Sequence, residues 1–258
     1  KMKNLRIDIE NKICTIYINR EKSFNAINID VIKDLNFFLN KYKSSKEFRS
    51  IILTGSGEHA FIAGADIKAM SDMTSKEAYN FSKEGNSLTQ LMENYSKPII
   101  AAINGYALGG GCEFAMACHI RFCSENAIIG QPETGLGLIP GFGGTQRLPR
   151  IVGLTNSYSL LLSGKSIDAY EAKRIGFVSE VYKSEELMSN CIRFAEKINK
   201  NSPLSSSLII ELVNKGAHLS MDEALSLESN YFKKVFEDEN KNIGIDAFLN
   251  KTKPDFLD

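Results

Sequence analysis

Hydrophobic and polar residues alternate with two different periods along this chain, and the period switches repeatedly. "LRIDIE" and "KICTIYIN" place β-branched residues at alternate positions on either side of Asn11-Lys12, which predicts a hairpin. From Asn28 to Tyr42 the period lengthens. Val31, Ile32, Leu35, Phe38, Leu39 and Tyr42 there form one apolar stripe at helical spacing. "SIILTG" reads as a short buried strand ending in a glycine turn. Thr74 and Glu77 have the spacing of a capping box, opening a helix that runs towards Tyr95. "PIIAAIN" predicts the next strand, followed by the glycines and apolar helix of "ALGGGCEFAMAC". "IRFCSENAIIG" supplies more strand, and "FVSEVY" closes the series.

From Ser184 onward the pattern is helical. Ser220 and Glu223 repeat the capping-box spacing ahead of Leu225, Leu227, Tyr231, Phe232, Val235 and Phe236. Strand–helix alternation followed by helices predicts an α/β core with a C-terminal helical appendage. We divide these as residues 1–200 and 201–258. No linker rich in Pro, Ser or Gly separates them, so the two are expected to pack together. There is no strict repeat and no low-complexity tract.

Composition narrows the class. With 258 residues, 43% hydrophobic and 24% charged, the chain can bury a sizeable core without disulfides or metals. Lys+Arg and Asp+Glu balance at 31 each, so no global basic field points to nucleic acid or to a membrane. The five cysteines form no CxxC pair and the histidines number three, which argues against a zinc site and a disulfide framework. Lys1 precedes Met2, which reads as the natural start. No secretory or transit pattern follows it, and a reducing cytoplasm is the expected compartment.

Several familiar motifs fail. "SGKS" at 163–166 ends like a phosphate-binding loop, but Ser159 stands where the loop's first glycine must be. The glycines of "GLGLIPG" are misplaced for a dinucleotide fingerprint, and there is no G-x-S-x-G. His59, His119 and His218 are scattered and read as surface or packing residues.

What survives is a pair of glycine-rich segments that each carry a carboxylate. "AINGYALGGGCEFAMAC" holds Glu113, and "IIGQPETGLGLIPGFGGTQRLPR" holds Glu133. "FIAGADIKAM" bends around small residues upstream. Glycines at a helix start leave backbone N–H groups unobstructed, and the helix dipole adds positive potential there. Such donors suit a phosphate or an oxyanion that develops during reaction. Two carboxylates beside them can divide acid and base work if their surroundings push their pKa values apart. Composition and spacing alone reach an anion hole with two acids.

These segments resemble the crotonase superfamily, specifically its enoyl-CoA hydratases. The likeness runs from "YINREKSFNAIN" through "FIAGADIKAM", "PIIAAINGYALGGGCEFAMACHIR" and "GQPETGLGLIPGFGGTQRLPRIVG" to "FLNKTKPDF". Within the family it is strongest towards the short-chain bacterial crotonases, which interconvert crotonyl-CoA and 3-hydroxybutyryl-CoA. The resemblance implies a spiral of ββα units with a C-terminal helical trimerisation region. It implies an oxyanion hole from the backbone N–H groups of Ala65 and Gly110, and catalytic roles for Glu113 and Glu133. Members that isomerise, dehalogenate or decarboxylate often lack one of these acids, so keeping both favours hydration.

The same likeness implies CoA contacts at Lys22, Ala26, Ala63, Asp66, Ile67 and Lys68, with Lys22 and Lys68 near the nucleotide phosphates. Phe248 and Lys251 match positions that reach a neighbouring subunit's site, in a hexamer built as a dimer of trimers. Met70 and Phe142 are expected at the acyl pocket, where Phe142 has two readings, a residue that shortens the pocket or an ordinary packing residue. No separate cofactor is expected, because coenzyme A is part of the substrate, and no metal, nucleic acid or membrane is expected as a partner. The competing readings are another acyl-CoA activity on this fold, such as isomerisation, and an RNA-binding relative. A serine peptidase on a related fold would need a Ser-His-Asp set that the three histidines do not match.

Overall fold

A computed structural model describes residues 2–258, and Lys1 lies outside the described residues. Strands β1 (Leu5–Glu10) and β2 (Ile13–Ile18) form the expected antiparallel hairpin. Asn11 and Lys12 turn it with φ of 50° and 62°, the paired left-handed conformation of a two-residue hairpin loop. Helix α1 (Ile29–Lys41) starts at Asn28, whose Oδ1 accepts the Val31 N–H at 3.0 Å. It buries Val31, Ile32, Leu35, Phe38 and Leu39, the predicted stripe apart from half-buried Tyr42.

A three-part unit then repeats: a strand in a large sheet, a three-residue strand in a small sheet, and a helix. The first turn is β3 (Ser50–Gly55), β4 (Ala60–Ile62), α2 (Ile67–Met70) and α3 (Ser75–Glu93). The second is β5 (Ile99–Ile103), β6 (Tyr106–Leu108) and α4 (Gly110–Ala117). The third is β7 (Ile120–Ser124), β8 (Ile128–Gly130), a 3₁₀ turn Glu133–Leu136, and α5 (Gly144–Ser163). α5 breaks its helical dihedrals at Gly153, where φ is 77°. Next come β9 (Ser166–Asp168), α6 (Ala169–Arg174), β10 (Glu180–Tyr182) and α7 (Leu187–Asn199). Helices α8 (Pro203–Gly216), α9 (Met221–Val235) and α10 (Glu239–Leu249) complete the chain.

The large sheet has the order β1-β2-β3-β5-β7-β10 and the small one β4-β6-β8-β9. Among the described residues only the β1–β2 and β8–β9 pairs are antiparallel. The repeated rise through both sheets is the α/β spiral of ββα units implied by the resemblance. Strands β3 and β5 are buried along their whole length because both faces are covered. On one side α1, α3 and α4 pack on Ile51, Leu53, Ile99 and Ile103. On the other, α7 lays Leu187, Cys191 and Ala195 over Ile52, Ile100 and Phe122.

The C-terminal segment returns to the core. Arg49 donates to the Phe256 carbonyl at 2.7 Å and pairs with Asp258 at 2.5 Å, while Lys12 reaches Asp258 at 2.9 Å. Helix α9 buries none of its residues and presents Met221, Leu225, Phe232 and, just beyond, Phe236 to the surface. Among the described residues, no helix is long and apolar enough to cross a membrane.

Candidate active site

The helix predicted from "ALGGGCEFAMAC" begins at Gly110, and each of its three glycines is fixed by a different contact. Gly109 adopts φ 50° and ψ −121°, a conformation that side chains disfavour, and a Cβ there would lie 3.0 Å from Glu133 Oε1. A Cβ on Gly110 would lie 3.1 Å from the Phe142 ring. On Gly111 it would fall 1.9 Å from the Ile62 carbonyl oxygen, so α4 sits directly on β4.

This packing leaves the Gly110 N–H ahead of the first hydrogen bond of the helix, which Glu113 donates to Gly109 at 3.0 Å. A second free donor arises opposite. Ile27 forms an isolated parallel bridge with Ala65, using the Gly64 carbonyl at 2.8 Å and the Asp66 N–H at 2.7 Å. The N–H of Ala65 therefore points away from Ile27. Gly64, Ala65, Gly109 and Gly110 all line one cavity of about 410 Å³, so the two donors border the same space.

Glu113 and Glu133 border it too. Glu113 is 1% exposed, and its Oε1 accepts the N–H of Phe142 at 2.8 Å and of Gly144 at 2.7 Å. Among the described residues Oε2 has no protein hydrogen bond, so it is the oxygen left for a ligand. Burial, aided by the neighbouring Glu133, pushes the Glu113 carboxyl up to about 7 against the pull of those two N–H groups. Burial also raises the pKa of Glu133. Gln131, 1% exposed, lies against Glu133; with its amide assigned nitrogen-first it donates to both Glu133 oxygens at 2.9 and 3.1 Å.

Apart from Ser82, the other side chains that line the cavity are apolar. Ile67, Met70, Phe81, Leu136, Leu138 and Ile139 contribute to it, and Phe142 closes one wall. The Phe142 ring is 3% exposed, 5.2 Å from Phe81 edge-on and 6.0 Å from Phe114.

Of the residues singled out in the sequence, Ala63, Ala65, Ile67, Met70, Gly110, Glu113, Glu133 and Phe142 meet at this cavity. Lys22 and Lys68 are exposed just outside it, on the turn Glu21–Ser23 and on α2. Their segments are tied together, because the Ala63 N–H donates to Phe24 at 3.1 Å. Ala26 is half-buried, and its carbonyl accepts from Arg20. Asp66 caps α2 and pairs with Arg20 at 3.0 Å, which holds its carboxyl below the usual range. Phe248 and Lys251 are exposed at the end of α10 and do not line the cavity in this single chain.

Sequence reasoning passed over Gln131, although it lies two residues before Glu133 in a quoted motif. It also passed over Ser82 and Arg147, which reach the turn that holds Glu113. Among the described residues no cluster of three or more His, Cys, Asp or Glu is arranged to hold a metal ion. His119 is a packing residue, accepting the Ile99 N–H at Nδ1 (2.9 Å) with Nε2 3.0 Å from the Glu93 carbonyl.

The chain matches the enoyl-CoA hydratase/isomerase family over residues 8–258. It belongs to that family. A short-chain-enoyl-CoA hydratase of Clostridium acetobutylicum is 42% identical over 253 residues, covering 98% of this chain and 97% of the relative. A crotonyl-CoA hydratase of Syntrophomonas wolfei is 41% identical over 98% of both chains. The crystal structure of an enoyl-CoA hydratase from Bacillus anthracis superposes with a TM-score of 0.96 at 34% identity, over 98% of this chain and 99% of that one.

Proposed function

We propose that the protein is a hydratase that adds water reversibly to a short-chain trans-2-enoyl-CoA, taking crotonyl-CoA to 3-hydroxybutyryl-CoA. The observation that carries this reading is the meeting of two carboxylates and two free backbone N–H groups around one apolar cavity. The relatives named for short-chain enoyl-CoA and crotonyl-CoA support it.

The thioester oxygen sits between the N–H groups of Ala65 and Gly110. As a water oxygen bonds to the β-carbon, the π electrons of the double bond move towards that thioester oxygen. The two donors stabilise the resulting enolate, and losing one such donor raises a barrier by about 3–4 kcal/mol. Glu113, ionised, takes a proton from the attacking water through Oε2. Glu133, protonated, gives a proton to the α-carbon, where the enolate pair forms the new C–H bond. One proton enters the pair of acids and one leaves it, so their total charge is unchanged. A pKa near 7 at Glu113 lets that group accept or release a proton at little cost near neutrality. The two acids titrate as a coupled pair.

In this reading Lys22 and Lys68 meet the nucleotide phosphates, and the backbone of Ala63, Ile67 and Ala26 holds the pantetheine, a role supported by the exposure of both lysines and by the tie between their segments at Ala63 and Phe24. The apolar surface of α9 and the exposed Phe248 fit a subunit contact in a trimer, two trimers making a hexamer. A cytoplasmic location and a reaction needing no separate cofactor belong to the same reading.

The test is to mix purified protein with crotonyl-, hexenoyl- and decenoyl-CoA and follow loss of the conjugated enoyl-thioester ultraviolet band. Rapid loss with oxygen from labelled water in the product supports hydration. A product without water oxygen transfers the site to isomerisation, and no reaction on any chain length overturns the proposal.

A further inference from the structure

Ser82, Asn86, Thr89 and Glu93 recur at i, i+4, i+7 and i+11 along α3, and so share one face of that helix. All four turn towards the segment that holds Glu113. Ser82 Oγ donates to the Gly141 carbonyl at 2.6 Å, and Asn86 Nδ2 donates to the same oxygen at 3.0 Å. The Thr89 hydroxyl lies 3.2 Å from the Phe142 carbonyl, which also accepts from Arg147 at 3.1 Å. Glu93 anchors the other arm of Arg147 at 2.9 Å.

The Gly141 carbonyl and the Phe142 N–H belong to one peptide unit. In a trans peptide they point in opposite directions, so fixing the oxygen aims the N–H. That N–H is one of the two donors to Glu113 Oε1. Two donors on the carbonyl also polarise the amide and strengthen it as a donor on its far side.

We propose that Ser82 and Asn86 are positioning residues for Glu113, acting through the Gly141–Phe142 peptide. They set which Glu113 oxygen is tied to the protein and how readily the carboxylate form is held. The proposal rests on the hydratase reading for its catalytic meaning. The other charged groups that face Glu113 are Glu133, beyond β8, and Arg147 on α5. Neither is hydrogen-bonded to Ser82 or Asn86: Arg147 is held by Thr89, the Phe142 carbonyl and Glu93, and Glu133 faces Gln131.

The experiment compares Ser82→Ala, Asn86→Ala and the double variant with the unmodified protein. The titration of Glu113 is followed by pH-difference infrared spectroscopy of the protonated carboxyl stretch, assigned with Glu113→Gln. Turnover of crotonyl-CoA and thermal stability are measured alongside. Without the two donors the carboxylate is held less well, so the Glu113 midpoint moves up by roughly half a pH unit. In the double variant kcat falls about five-fold while KM stays within about two-fold. Ser82→Thr, which keeps the hydroxyl, brings the midpoint back towards that of the unmodified protein.

An unchanged midpoint in the double variant overturns the proposal, as does a loss of kcat that follows a fall in stability with the midpoint fixed. Absence of hydration by the unmodified protein instead defeats the hydratase reading. The infrared midpoint still decides whether α3 positions Glu113.

Discussion

Phe142 meets Glu113 through its backbone and the acyl cavity through its ring: the N–H donates to Glu113 Oε1 at 2.8 Å, and the ring forms part of the cavity wall. Pocket depth and acid placement therefore depend on one residue. The ring is wedged over Gly85, where a Cβ would lie 2.1 Å from it, and against Phe81 and Phe114. Phe142→Ala should cost about 3–4 kcal/mol of stability in urea unfolding, because the ring is buried and truncation leaves a cavity between Phe81, Phe114 and Gly85. The same variant should raise the hexenoyl-CoA to crotonyl-CoA ratio of kcat/KM. An unchanged ratio in a folded variant would remove Phe142 from the determinants of chain length.

Glu113 and Glu133 should each be indispensable for turnover but not for binding. Glu113→Gln and Glu133→Gln keep the shape of the site and remove the proton exchange, so kcat should fall by about 10²–10⁴ with thioester affinity largely preserved. Near-normal turnover in either variant would sink the two-acid scheme.

The raised pKa of Glu113 also makes a stability prediction of definite sign. Its folded-state value of about 7 lies above the ordinary glutamate value of 4.5. The folded protein thus binds this proton more tightly than the unfolded chain does. That contribution is fully present below about pH 4.5 and is lost as pH rises through 7. At pH 8.5 the native state carries a buried charge, and Glu113→Gln should be more stable than the unmodified protein by on the order of 2–3 kcal/mol. The gap should narrow steadily on lowering the pH to 5.5. Urea unfolding at the two pH values measures it, and a gap that widens towards acid would contradict the assignment.

What the sequence made legible depended on element length and on whether a pattern has one meaning. The stripe from Val31 to Leu39 spans about two and a half helical turns, and the capping boxes at Thr74–Glu77 and Ser220–Glu223 both close as spaced. The strands β4, β6, β8 and β9 have three residues each, too few to display alternation, so the second sheet was invisible. "IRFCSENAIIG" accordingly divides into β7 and β8, which lie in different sheets. At the site, the two acids stood out as carboxylates in apolar, glycine-rich surroundings. Ser82 and Asn86 did not, because small polar residues on a helix read as a solvated face. Their partner is a backbone carbonyl 55–59 residues away, which no periodicity reports.

The neighbouring glycines of α4 should fail in different ways. Gly111→Ala places a Cβ 1.9 Å from the Ile62 carbonyl oxygen, a clash between two backbones, and should prevent stable folding. Gly109→Ala meets a strained φ of 50° and the flexible end of Glu133 at 3.0 Å. It should fold with a loss of about 1–3 kcal/mol and lose kcat as Glu133 is displaced. Circular dichroism and turnover separate the two, and equal stability of the variants would refute the close packing of α4 on β4.

The Arg20–Asp66 pair should matter for CoA affinity without touching the chemistry. Asp66 donates its N–H to Ile27 beside Ala65, and its carboxylate caps α2 and receives Arg20 at 3.0 Å. Arg20 in turn holds the carbonyl of Ala26, so one ion pair joins both segments that border the cavity mouth. Asp66→Asn removes the charge but keeps a capping oxygen for α2. The loss therefore falls on the tie to Arg20, and KM for crotonyl-CoA should rise several-fold with kcat nearly unchanged. Because the pair holds the Asp66 carboxyl below its usual range, its contribution to stability is present above about pH 3.8 and disappears only in stronger acid. The KM effect should consequently be flat between pH 6 and 9. A fall in kcat equal to the rise in KM would mean that the tie fixes the Ala65 N–H itself.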